Sequence, residues 1–257
     1  MSIDITVAAG IATITINRPE RLNAMDADHY TALSAAWMRV RDDNDIRVAI
    51  VTGAGERAFT TGADIKSFVT KPPELAEMWL TQRDQLLNRG LEVWKPVIAA
   101  VNGLCLGGGM TLLFGTDIRV AAEHATFSLA EVKRGVIAGN GGTQRILRQL
   151  PHAIGMEMLL TGSSIDAAAA ARWGLINKVV PKNDVMATAL EYAHRIAENA
   201  PLAVQAAKEL AIRGRDMDLA TGLRMEQLVN RLLGFSEDAK EGPAAFTEKR
   251  PAKFRGK

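Results

Sequence analysis

The sequence predicts an α/β core followed by a helical C-terminal stretch. Three observations lead there. Over roughly the first 180 of the 257 residues, short apolar runs of strand length alternate with segments of helical period. Glycine and proline fall between the runs more than within them. From Asp184 onward the apolar period is helical, with breaks expected at Gly214, Gly234 and Pro243.

The elements follow in order. Residues 3–7 and 11–16 alternate apolar with small or polar side chains around Ala9-Gly10, which predicts a hairpin. Asn17-Arg18-Pro19-Glu20-Arg21 reads as a loop, because proline lacks a donor and drives Arg18 out of the helical region. Asp26 can cap a helix running to about residue 41. Strands are expected over 46–52, ending at Gly53-Ala54-Gly55, and over 58–60. Pro72-Pro73 precedes a helix over about 74–93, whose Met78, Trp79 and Leu86 either line a pocket or simply fill the core. A buried strand over 97–101 ends at Asn102-Gly103, and Gly107-Gly108-Gly109 leads into a helix over about 110–115. Short strands over 117–121 and 126–129 come next, then helices over 142–150, 153–160 and 166–173, then a strand over 176–180. The lack of a long linker predicts two packed parts, a core over 1–190 and a helical region over 191–257.

Composition narrows the function classes. The 31 basic and 29 acidic residues leave a net charge of +2, with no basic stripe for nucleic acid. The one basic cluster is terminal: Lys249, Arg250, Lys253, Arg255 and Lys257. It reads either as a solvated tail or as a phosphate contact. The single cysteine, Cys105, lies between leucines and is expected to be buried and inert. No apolar run reaches the ~18 residues that span a bilayer, and the first residues are strand-like rather than leader-like. The expected compartment is the cytoplasm. His29, His124, His152 and His194 are scattered without metal-ligand spacing, so no metal is expected.

Three segments can carry chemistry. In Phe59-Thr60-Thr61-Gly62-Ala63-Asp64-Ile65-Lys66 a strand runs into glycine and a capping acid, which leaves the Ala63 N–H without a helical partner. In Val101-Asn102-Gly103-Leu104-Cys105-Leu106-Gly107-Gly108-Gly109 the glycines let backbone approach a ligand, though a glycine turn for close packing is the plainer reading of that triplet alone. Glu131 stands among small and apolar residues, where a carboxyl has a raised pKa and exchanges protons near neutrality; alone it could equally be a surface glutamate paired with Lys133 or Arg134.

Taken together, the order and spacing of these segments resemble the crotonase family, the enoyl-CoA hydratase/isomerase superfamily. The resemblance starts at Asn17-Arg18-Pro19 and Leu22-Asn23-Ala24 and runs through the three segments above. It continues through Gly141-Gly142-Thr143-Gln144-Arg145 and Arg172-Trp173-Gly174-Leu175-Ile176 to Glu241-Gly242-Pro243-Ala244-Ala245-Phe246 and Lys249-Arg250. It implies a spiral of β-β-α turns with a C-terminal helical trimerisation region, assembled as a trimer or dimer of trimers. It also implies an oxyanion hole made of the Ala63 and Gly108 N–H groups, and Glu131 as acid/base on an acyl-CoA. CoA would run past Arg21, Ala24, Thr61, Ala63, Asp64 and Ile65, and would meet Phe246 and Lys249, often from a neighbouring subunit. No cofactor beyond the CoA moiety of the substrate is implied.

One departure bears on the reaction. Many hydratases of this family carry a first glutamate where this chain has Thr111, and a glycine matching Gly139 whose N–H holds the reacting water. A threonine hydroxyl cannot store a proton near pH 7, so hydration would fall about 10²-fold where general-base help is lost. A 1,3 double-bond shift needs Glu131 alone. Dienoyl-CoA isomerases differ by an aspartate at the Gly139 position. Hydroxycinnamoyl hydratase-lyases rely on tyrosines, and Tyr30 and Tyr192 lie outside the three segments. A lyase or hydrolase of the same fold, or a binding protein without chemistry, stays open, as do acyl chain and pathway.

Overall fold

The computed structural model of the chain describes residues 3–70, with side chains to 67, and residues 85–257. Strands β1 (Ile3–Ala8) and β2 (Ile11–Ile16) form the expected hairpin, with Ile3 opposite Ile16. The next six strands come in pairs that divide between two sheets. In each pair the first strand joins a large sheet: β3 (Val48–Gly53), β5 (Val97–Val101) and β7 (Ile118–Ala122). The second joins a small one: β4 (Ala58–Thr60), β6 (Leu104–Leu106) and β8 (Thr126–Ser128). Each pair is followed by helical structure, so the chain winds as a spiral of β-β-α turns, as the resemblance implied.

The large sheet has the order β1-β2-β3-β5-β7-β10, where β10 is Lys178–Val180, and is parallel apart from the first hairpin. Its central strands β3 and β5 are buried at every residue, which matches their unbroken Val, Ile and Ala runs. The small sheet has the order β4-β6-β8-β9, where β9 is Ser164–Asp166. One core layer fills the space between the sheets and helix α1 (Ala27–Asp42), with Trp37, Phe59, Phe127 and Met110 fully buried. Asp26 caps α1 by accepting the His29 N–H at 3.2 Å, as its position predicted. A second layer lies under helix α7 (Val185–Ala197) on the other face of the large sheet.

Five differences from the sequence reading have physical causes. Strands β6 and β9 (Ser164–Asp166) were not expected: β6 is a three-residue run between Gly103 and Gly107, and β9 ends on Asp166, the cap of the helix that follows. The described end of the segment expected to be a helix over 74–93 is a tight turn, in which the Leu86 carbonyl accepts from Arg89 and Leu91 N–H and Gly90 adopts φ +85. Leu86 is buried there; Met78 and Trp79 lie outside the described residues. Pro243 sits inside helix α10 (Glu237–Thr247) instead of ending it. The C-terminal tail braces that helix from outside: Asp238 accepts the Arg255 and Gly256 N–H groups, and Glu241 accepts the Lys253 N–H. The division expected at 190 falls within α7, whose Ala189 and Ala193 both pack on the sheet. The breaks at Gly214 and Gly234 hold, separating α8 (Pro201–Arg213), α9 (Leu219–Leu233) and α10.

Candidate active site

Three parallel neighbours, β4, β6 and β8, end at one edge of the small sheet, and each delivers one group there. Just past β4, the Thr60 hydroxyl accepts the Gly62 N–H at 3.0 Å and donates to the Asn23 carbonyl at 2.6 Å. Gly62 takes φ +83 and bridges through its carbonyl to Met25 N–H, while Asp64 N–H donates to the Met25 carbonyl. The Ala63 N–H between them has no acceptor in the protein among the described residues.

Past β6, the Gly107 N–H donates to the Ser128 carbonyl at 2.9 Å and φ turns to +53. The Gly108 N–H that follows opens helix α3 (Gly108–Leu113), also without a protein acceptor. The two free donors lie close together. A methyl built on Gly108 would sit 3.4 Å from Ala63 N, and one built on Gly62 only 2.4 Å from Gly108 N. Gly62 therefore needs both its left-handed φ and its bare Cα.

Past β8, Glu131 begins a 3-10 turn, Glu131–Arg134. Its Oε1 lies 3.4 Å from a methyl built on Gly107, so the carboxyl faces the same edge. Its Oε2 is buried and has no hydrogen-bond partner. Burial pushes the carboxyl above its ordinary range, against smaller opposing effects from its own backbone and Arg134. The Arg134 guanidinium bonds the Ala130 carbonyl at 3.1 Å instead of the carboxylate.

Thr111 is buried, and its hydroxyl is used on both sides: it donates to the Gly108 carbonyl and accepts from Asn88 Nδ2, each at 3.0 Å. It holds the Gly108 peptide and has no hydrogen left for a water. No carboxylate bonds Thr111 or Asn88 among the described residues. The Gly139 N–H donates to the Ile137 carbonyl at 2.9 Å, so in this structure it is not open to hold water as the resemblance implied.

Two residues here escaped the sequence reading. Asn88 arrives on the turn that was read as helix. Tyr30 was set outside the three segments, yet its hydroxyl lies 3.1 Å from a methyl built on Gly108. Burial pushes the phenol up to about 12. A signal existed for Tyr30: it shares a helical stripe with the buried Leu33, Ser34 and Trp37.

The residues expected along the CoA path are partly gathered. Loop 18–25 runs beside 61–64, with Thr61 N–H on the Leu22 carbonyl at 3.3 Å, so Ala24, Thr61, Ala63 and Asp64 adjoin. Buried Asn23 fixes that loop by donating to the Ala54 and Ala58 carbonyls. The Asp64 carboxylate is taken up by Arg18 Nη1 at 3.1 Å and by the Lys66 N–H. Arg21 and Ile65 are exposed at the rim. Phe246 and Lys249 are exposed on the C-terminal region, and no hydrogen bond ties either to this edge. Arg250 bonds Glu241 and Glu248, which makes that part of the basic tail structural. Cys105 is buried with its thiol pushed up by desolvation. The described histidines, cysteine and acids form no cluster that could hold a metal, and no described helix is long and apolar enough to cross a membrane.

A family model described as enoyl-CoA hydratase/isomerase matches residues 6–257. The chain is 42% identical over 256 residues to an (E)-benzylidenesuccinyl-CoA hydratase from Thauera aromatica, covering all of both chains. It is 39% identical over 259 residues to a carnitinyl-CoA dehydratase from Salmonella arizonae, covering 99% of this chain and 98% of that one. Among solved structures, an enoyl-CoA hydratase from Bacillus anthracis superposes with a TM-score of 0.92 at 34% identity, over all of both chains.

Proposed function

The chain belongs to the enoyl-CoA hydratase/isomerase family, and from that premise we propose that it adds water to, or removes it from, an acyl-CoA thioester through an enolate, with Glu131 as its one acid/base. The observation that carries this is the buried, unpartnered Oε2 of Glu131 at the edge where the Ala63 and Gly108 N–H groups stand open. The thioester oxygen sits between those two donors. A donor placed where charge develops is worth ~3–4 kcal/mol of transition-state stabilisation.

One carboxyl can serve both proton transfers of hydration. Glu131 takes a proton from water as the oxygen bonds C3, and the C2=C3 electron pair moves into the thioester as an enolate. Glu131 then returns that proton to C2. The names of the hydratase and dehydratase relatives favour this direction of chemistry. A 1,3 double-bond shift is the second reading, favoured by Thr111 standing where a second acid would help hydration.

CoA is proposed to follow Arg21, Ala24, Thr61, Ala63, Asp64 and Ile65, with no further cofactor. The open apolar side chains of Leu219, Leu223, Leu232 and Phe235 support self-association through the C-terminal helices, as a trimer or dimer of trimers. Phe246 and Lys249 would then serve a neighbour's CoA. The test is Glu131→Gln assayed on a 2-enoyl-CoA and a 3-enoyl-CoA. Loss of about 10³-fold or more in kcat on whichever thioester the parent turns over is expected, with KM little changed. Activity near the parent's level on that substrate would overturn the assignment.

A further inference from the structure

Hydration needs more than a base. A water molecule carries two hydrogens, and in the reading above Glu131 takes only one. The other needs an acceptor, or the water tumbles and the attack on C3 loses its alignment. The Thr111 hydroxyl is buried and already bonded on both sides, to Asn88 and to the Gly108 carbonyl, and the Gly139 N–H is a donor already engaged.

Asn88 offers what is missing. It is 6% exposed, so its amide is effectively internal. Its Nδ2 donates to Thr111 Oγ1 at 3.0 Å and to the Asn140 carbonyl at 3.3 Å. Those two oxygens fix which way the amide lies, because a flipped amide would set its oxygen against the Asn140 carbonyl oxygen. Oδ1 is thereby left as a buried acceptor with no donor. Apart from Glu131 Oε2, it is the one unpartnered buried side-chain oxygen among the described residues. The two flank the start of the same short helix: Glu131 faces Gly107, and Asn88 is bonded to Thr111, one turn further on. A native protein retains such an orphan where a ligand or water completes it.

We infer that Asn88 is the water-holding residue of this site: its Oδ1 accepts the hydrogen of the reacting water that Glu131 does not take. The inference rests on the proposed hydration. As the water oxygen bonds C3, one hydrogen passes to Glu131 and the other remains on the new 3-hydroxyl, bonded to Oδ1. In the reverse direction Oδ1 holds the 3-hydroxyl group as Glu131 removes the C2 proton.

The test separates water addition from proton transfer at C2. Crotonyl-CoA and cinnamoyl-CoA report hydration. Butyryl-CoA and 3-phenylpropanoyl-CoA in D2O report exchange of the C2 hydrogen, which needs the N–H pair and Glu131 but no water at C3. Asn88→Leu and Asn88→Ala are expected to lower hydration roughly 10- to 100-fold while exchange stays within about threefold of the parent. Parallel loss of both activities would mark Asn88 as merely structural and overturn the inference, as would hydration that survives unchanged. A parent that exchanges C2 hydrogen yet hydrates neither enoyl thioester would overturn it too. Glu131→Gln is the separate control: if it still exchanges and hydrates, the Glu131 reading fails whatever Asn88 does. If neither variant folds, a crystal structure of the parent with butyryl-CoA decides. A water on Oδ1 facing C3 supports the inference, and an Oδ1 with no water in reach overturns it.

Discussion

Glu131 and Glu241 are the same side chain held in opposite ways. Glu241 accepts two bonds from the Arg250 guanidinium, at 2.6 and 2.9 Å, and a third from the Lys253 N–H. Those donors hold its carboxyl down at about 2. Glu131 also has an arginine nearby, but Arg134 turns to a backbone carbonyl, and burial holds the Glu131 carboxyl up with Oε2 unpartnered. The first arrangement ties the tail to helix α10. The second leaves a buried carboxyl oxygen without a partner, as the proposed role of proton acceptor needs. The contrast locates function where the protein leaves its own polar groups unmatched.

The largest effect should come from closing the open edge itself. Gly62→Ala places a methyl 2.4 Å from Gly108 N in a backbone region that L residues rarely adopt. The Gly108 donor must move, and kcat should fall about 10²- to 10³-fold, the cost of one oxyanion donor. Steady-state kinetics beside a thermal melt check this; a folded variant with parent kcat would show that Gly108 N–H is not a donor to the thioester. Next in size is Thr111→Val, which keeps the shape but removes the bond to the Gly108 carbonyl and one acceptor of Asn88. We expect about 1–2 kcal/mol of lost stability by denaturant titration. Activity should fall only about tenfold, because Thr111 positions the Gly108 peptide and holds no proton.

That ranking also shows which parts of the site were legible in the sequence. Ala63, Gly108 and Glu131 each lie within three residues of the end of one of three parallel neighbouring strands. Parallel register brings such ends to one edge, so glycines and an acid after strands were a readable sign even though β6 itself went unseen. The alternating core and the hairpin were readable for the same reason, since burial imposes a period. Asn88 had no such sign, and the helical stripe of Tyr30 marks burial without marking the site it joins. Each comes from a distant part of the chain and matters only through what tertiary packing sets beside it. Pro243 misled because its local rule is sound, and the bonds that override it come from the tail.

The third prediction tests the satisfied glutamate. Glu241→Gln weakens the pairing with Arg250 and should lower the thermal midpoint at pH 6. The folded pKa is depressed, from 4.5 to about 2, so the stabilisation is present above 4.5 and is lost as pH falls through about 2. The gap between variant and parent should therefore narrow across that window. The pair is solvent-accessible, so ~1 M salt should narrow the gap as well. A midpoint equal to the parent's at pH 6 would show that the tail is held by its backbone bonds alone.

The smallest effect has the opposite sign and sits in the candidate active site. The folded-state pKa of Glu131 is raised, so its contribution to stability is greatest below the unfolded value and is lost as pH rises through the folded one. As pH rises the parent therefore takes up a charge in a place that disfavours it. Glu131→Gln removes that charge while keeping the volume. Its thermal midpoint should exceed the parent's at pH 7–8 by no more than a few degrees, as expected of a modest change in a chain this long. Toward pH 4 both side chains are neutral and the two melts should converge. A variant that melts below the parent at neutral pH would mean that Oε2 finds a donor in solution, and the two glutamates would then differ in degree rather than in kind.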